Sequence, residues 1–186
     1  MRTILLSLAI AAGLFAADVN PQVPRKAPEF VLNLPDGTQK LLSSYRGKVI
    51  VVQCLFTTCP HCAHASQILS KLNTEFGPKG VQIVGIAFDE MAKLMVPDYI
   101  KNNKVNFPVA YSAREPMMVL LGLPPDARLS VPQMIFIDKK GMIRQQSQPV
   151  YDEKTATEEN MRKMMETLSA EAGGSQVSSK RAAARK

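Results

Sequence analysis

Two cysteines separated by two residues, Cys59-Pro60-His61-Cys62, are the residues of this chain whose types and spacing could do chemistry together. A dithiol at that spacing can close a disulfide without much strain. The chemistry it implies is thiol–disulfide exchange, in which a thiolate attacks a disulfide sulfur through a mixed-disulfide intermediate. Position along the chain decides which sulfur attacks. An apolar run, residues 49–56, ends just before the pair, and Ala65, Ile68, Leu69, Leu72 and Phe76 recur at helical spacing after it. A strand thus delivers the dithiol to the first turn of a helix. There, unpaired N–H groups and the positive end of the helix dipole favour a thiolate. Cys59 is on this reasoning the nucleophile and Cys62, a turn deeper, the resolving thiol. Pro60 and His61 between them are the tuning residues, because the His61 ring or cation can stabilise the Cys59 thiolate.

The elements that must position the pair begin after a leader. Met1-Arg2 is followed by a stretch of Leu, Ile and Ala to Ala17, with small residues ahead of Asp18. One positive charge and a short apolar run fit a secretory signal over residues 1–17. The run is too short for a comfortable membrane span, which needs about 20 residues. The expectation is a periplasmic or secreted protein without stable membrane insertion, in a compartment where disulfides persist. Residues 18–170 are the size of one domain, and with 46% apolar residues overall they can bury a core. The net charge of +7 is partly local. Residues 171–186 carry Lys180, Arg181, Arg185 and Lys186 with no apolar period, and read as a disordered basic tail. With an export signal, a nucleic-acid partner is not expected, and the domain is expected to be a monomer.

Along the domain, residues 30–34 and 38–42 flank Pro35-Asp36-Gly37, a hairpin signal. Residues 81–88 form an uncharged apolar run typical of a strand buried on both faces. Helices are expected over 90–103, interrupted by Pro97, over 115–121, and over 155–170 with a capping-box-like Thr155-Ala156-Thr157-Glu158 start. A short strand at 107–111 and a second hairpin about Asp138-Lys139-Lys140-Gly141 complete the set. Strands alternating with helices, then a hairpin and a helix, give an α/β fold with a mixed sheet.

In this order the parts resemble the extracytoplasmic thioredoxin-like thiol–disulfide oxidoreductases, the TlpA/ResA group of the redoxin family. The matching stretches are Ala27-Pro28-Glu29-Phe30, Tyr45-Arg46-Gly47-Lys48-Val49, the cysteine tetrapeptide, Val105-Asn106-Phe107-Pro108-Val109, Val131-Pro132-Gln133 and Ile137-Asp138-Lys139-Lys140-Gly141. The resemblance implies a thioredoxin-like fold, a mixed central sheet flanked by helices with an N-terminal β-hairpin extension. It also implies a cis peptide before Pro132, lying against the cysteines, and a Val131 backbone that pairs with the partner's extended chain as an added strand. Protein thiols and disulfides, such as those of an apocytochrome or another envelope protein, are the implied substrates. A redox-recycling partner is implied too, with no cofactor and no metal. The tetrapeptide, with Val before the later proline, also resembles the DsbA family of periplasmic oxidants. Thioredoxin and DsbA differ by about 150 mV, roughly 7 kcal/mol for two electrons. A thiolate pKa lowered from about 8.5 to about 3.5 represents nearly that free energy, about 6.8 kcal/mol. His61 therefore predicts a potential above thioredoxin's.

Three departures accompany the likeness. Thr58 stands where the family often has Trp, Gln53 where thioredoxins carry a buried Asp, and Ala65 where the reductase group often carries Glu. Asp89 and Glu90, just past a buried strand, are candidate substitutes for the missing acid/base group. Cys54, within the central strand, reads as a small buried hydrophobe. The alternatives are a peroxiredoxin-like peroxide reductase and a copper- or zinc-binding redoxin-like chaperone. The first needs Pro and Thr or Ser at set distances before the cysteine, but Val52 and Phe56 stand there. The second would draw on Cys54, Cys59, Cys62 and His64, crowded into one short span. His64 is otherwise expected to face solvent.

Overall fold

The computed structural model describes residues 20–150, 152 and 154–171. The leader expected over residues 1–17 and the tail expected over 171–186 lie outside them, Glu171 excepted. Arg25–Lys26 (β1) is a short edge strand. Val31–Asn33 (β2) and Gln39–Leu41 (β3) form the expected N-terminal hairpin. Its turn is held because Asp36 accepts from the Thr38 N–H and hydroxyl at 2.9 and 2.7 Å, and Gly37 takes φ +83°, which favours glycine.

Val49–Leu55 (β4) leads into Pro60–Phe76 (α1). Val81–Ala87 (β5) then pairs parallel to β4 in register from Val49↔Val81 to Leu55↔Ala87. Every residue of β4 is buried, as an uncharged run covered on both faces must be. Ala92–Asn102 (α2), Val109–Tyr111 (β6), Arg114–Leu121 (α3), Gln133–Ile137 (β7), Met142–Gln146 (β8) and Glu158–Ala170 (α4) follow. The eight strands form one mixed sheet in the order β1-β8-β7-β4-β5-β6-β2-β3. The fold is thioredoxin-like, with helices on both faces.

Besides end shifts of one or two residues, two helices differ from the sequence reading. Pro97 does not interrupt α2, which runs on to Asn102. The proline is exposed, so the carbonyl it leaves without an N–H partner can be met by water. Helix α4 starts at Glu158 rather than 155. Thr155 is drawn into a turn in which its N–H and hydroxyl donate to Asp152. Thr157 becomes the N-cap, accepting the Asn160 N–H at 3.2 Å.

The alternation of β4 divides the core. Val49, Val51 and Leu55 pack with α1, α2 and α4 on one face, together with Cys62, Leu69, Tyr99 and Met161. Ile50, Val52 and Cys54 pack on the other face with Phe30, Leu32 and the methionines of α3. This places the C-terminal end of β4, and the dithiol after it, at the open edge of the central parallel strands.

Candidate active site

Helix α1 begins at the dithiol because the tetrapeptide suits a helix start. Cys59 has extended backbone angles and is the N-cap, and Pro60 occupies the first helical position, where its missing N–H costs nothing. The Cys59 sulfur accepts the Cys62 N–H at 3.3 Å, the bond a capping Ser or Asp oxygen usually makes. Its thiol also points at the Val131 carbonyl, 3.8 Å away. Ionising Cys59 keeps the first contact, strengthened by charge, and gives up the second, which needs the thiol proton.

Cys62 is different in kind. It is fully buried, and burial pushes its thiol well above the ordinary value, with the hydrogen bond to Cys59 adding to the shift and the Phe56 backbone opposing it. One sulfur is thus partly exposed and capped by a helix N–H, and the other is buried and protonated. All three cysteines are free thiols here.

The structure brings Cys59, Pro60, His61, Cys62, Val131 and Pro132 together at this edge. The Val131–Pro132 peptide is cis, and Val131 packs with Cys59 against the core. His61 and His64 are both exposed on the first turns of α1. Beside them opens a groove of about 440 Å³ whose walls include His61, Ile68, Val131, Pro132, Asp152 and Glu158. Behind it, the Gln133 amide donates to the Ser130 and Gln148 carbonyls at 2.8 and 3.0 Å and anchors the proline loop.

Asp89 is engaged with the loop that precedes the dithiol. Its two carboxylate oxygens accept the Thr57 N–H and hydroxyl at 2.8 and 2.6 Å, so it ties down the loop that carries Cys59. Glu90 is exposed. Cys54 lies in the core of the opposite sheet face from Cys62, where burial pushes its thiol far up. The four ligands of the metal reading are therefore split across the sheet. Among the described residues no group of three or more His, Cys, Asp or Glu side chains is placed to hold a metal ion.

Sequence reasoning missed three supports: the Asp89–Thr57 clamp, the Gln133 anchor, and a buried set of bonds under Cys62. In the last, Gln53 Nε2 donates to the Cys62 carbonyl at 2.8 Å and the Ser66 hydroxyl donates to Gln53 Oε1 at 2.7 Å. The one sequence signal was Gln53, a polar residue set between apolar neighbours in the strand run.

The redoxin family model matches residues 22–165. The chain belongs to the redoxin family. This redoxin is 26% identical over 151 residues to the thiol-disulfide oxidoreductase ResA of Geobacillus thermodenitrificans, covering 77% of the chain and 83% of the relative. It is 30% identical over 104 residues to ResA of Bacillus subtilis, covering 56% and 58%. Among solved structures, a thiol:disulfide interchange protein of Chlorobium tepidum superposes with a TM-score of 0.66 at 21% identity, over 80% of this chain and 99% of that one. The redoxin is a thiol–disulfide oxidoreductase, and the solved structure shares its fold. No helix of the described residues is long and apolar enough to cross a membrane.

Proposed function

We propose that this redoxin is an exported enzyme that exchanges disulfides with polypeptide substrates through Cys59 and Cys62. Acting as a reductant, the Cys59 thiolate attacks a substrate disulfide; one substrate sulfur leaves and a Cys59–substrate bond forms. Cys62 then attacks Cys59, the mixed disulfide breaks, and the second substrate sulfur departs with the electron pair. The reverse sequence oxidises a substrate dithiol. The observation that carries this reading is the asymmetric pair: a capped, partly exposed Cys59 sulfur facing the Val131 carbonyl, above a buried Cys62. The groove beside Val131 and Pro132 has room for an extended chain, whose backbone Val131 would meet as an added strand. Export rests on the leader sequence, and envelope proteins are the corresponding substrates.

Trapping tests the assignment. Cys62→Ala in cells should accumulate disulfide-linked partners on Cys59, and Cys59→Ala should accumulate none. Partners trapped only by Cys59→Ala would reverse the two roles. A redox titration should place the potential above thioredoxin's value of about −270 mV, and replacing His61 by an apolar residue should lower it. A wild-type value at or below thioredoxin's would remove His61 as the tuning group.

A further inference from the structure

A buried polar chain runs beneath the helix start that carries the dithiol. Gln53 and Ser66 are fully buried and Tyr99 is 3% exposed, inside an otherwise apolar core. Burying such groups is costly unless they bond one another, and here they do. The Tyr99 and Ser66 hydroxyls lie 2.7 Å apart, and Ser66 spends its own proton on Gln53 Oε1. Tyr99 is therefore the donor to Ser66. Gln53 Nε2 faces the Cys62 carbonyl, which can only accept, so the orientation of the amide is settled by its partners. The order of donation is Tyr99 to Ser66 to Gln53 to the Cys62 carbonyl, and no member carries charge.

Among the described residues, the ionisable groups that act on the Cys62 sulfur offer no base either. The ionisable ones acting on it are Cys59 on its own turn and Cys54 from β4, with Tyr99 of α2 close enough to interact. Cys54 and Tyr99 are themselves held protonated by burial. From β5, β7 and α4 the members of the buried cluster that holds Cys62 are apolar, Ala87, Met134, Met161 and Met165 among them. Of the nearby charged or ionisable side chains, Asp89 is closed on Thr57, Asp152 accepts the Thr155 N–H and hydroxyl, and Glu158, His61 and His64 are exposed on the groove side.

We propose that Tyr99, acting through Ser66 and Gln53, is a positioning residue for Cys62, and that this uncharged chain leaves solvent as the acceptor of the Cys62 proton during resolution. The inference rests on the reading of Cys59 as nucleophile and Cys62 as resolving thiol. In the resolving step the Cys62 proton passes to water or hydroxide and the new Cys62–Cys59 bond forms. The Cys59–substrate bond breaks, and the substrate sulfur leaves as a thiolate.

The two steps separate in a stopped-flow reaction of the reduced full chain with excess 5,5′-dithiobis(2-nitrobenzoate). The first equivalent of released thiolate reports attack by Cys59, and the second reports resolution by Cys62. The logarithm of the second rate should rise linearly between about pH 5 and about pH 8.5, without inflection, because no base among the described residues is placed to take the Cys62 proton. Gln53→Glu should introduce an inflection and raise the second rate about tenfold or more at its acidic end. Tyr99→Phe keeps the ring but removes the first donor. It should slow the second phase about three- to tenfold, with the first phase and the pH slope unchanged. Ser66→Ala should do the same, and adding it to Tyr99→Phe should cost nothing further. An inflection in the wild-type second phase, or a Tyr99→Phe second phase equal to wild type, would overturn the proposal. A first phase that persists in Cys59→Ala would instead remove Cys59 as nucleophile, and this inference with it.

Discussion

As the proposed nucleophile, Cys59 would owe its reactivity to where its sulfur sits. An N-cap acceptor collects a helix N–H, and the 3.3 Å contact from Cys62 N–H does so for sulfur. That placement depends on the two residues before it being held, and Asp89 holds them through Thr57. Asp89→Asn replaces one of the accepting oxygens by an amide donor and removes the charge. It should cost about 1.5–3 kcal/mol in denaturant unfolding, the range for hydrogen bonds to charged groups. It should also slow attack by Cys59 on a small disulfide. An unchanged stability with an unchanged rate would show that the loop is held by its other contacts.

At the scale of elements, the central strands approach so closely that a side chain at one position would be crowded. A Cβ on Gly85 would lie 3.1 Å from Val109 Cγ2 and 3.4 Å from Leu55 Cδ2, in the register that pairs Gly85 with Val109. Gly85→Ala should destabilise by about 1–3 kcal/mol through overpacking. Combining it with Val109→Ala should show positive coupling, the double variant being more stable than the sum of the single effects predicts. Strict additivity would place the strain elsewhere. The tightness matters to function because β4 and β5 end at the site, Leu55 leading to Cys59 and Ala87 to Asp89. The exposed ion pairs that Arg162 makes with Glu75 and Glu158 contribute little by comparison.

For the whole molecule, each face of the sheet buries one neutral thiol, Cys54 on one and Cys62 on the other. Burial raises both folded-state pKa values, with the Cys59 bond adding to the effect at Cys62. In the unfolded chain each titrates near 8.5. The folded state of the reduced protein therefore keeps these protons while the unfolded state loses them. Stability is fully present below about pH 8.5 and falls as pH rises beyond it, by about 1.4 kcal/mol per pH unit for each thiol. Urea unfolding of the reduced protein should show this alkaline fall, and Cys54→Ala should make it shallower at the cost of a small cavity. A slope that Cys54→Ala leaves untouched would mean that Cys54 is not the group titrating.

Much of this was legible in the order of residues alone. The strand–dithiol–helix arrangement, the Asp36-Gly37 turn, the buried β4 and β5 runs and the cis peptide at Pro132 followed from local pattern and resemblance, because each depends on neighbours a few residues apart. What surrounds Cys62 did not. Gln53, Ser66 and Tyr99 lie on β4, α1 and α2, and nothing in their spacing says that three uncharged groups will meet under one carbonyl. Asp89 looked like a spare base until Thr57, 32 positions away, took both its oxygens. The chain by itself determined that a dithiol would stand at a helix start and which sulfur would be outermost, since helix capping is local. Only the tertiary structure decided what the inner sulfur faces, because packing across the sheet chooses each buried group's partners, and those partners determine whether a base lies at hand.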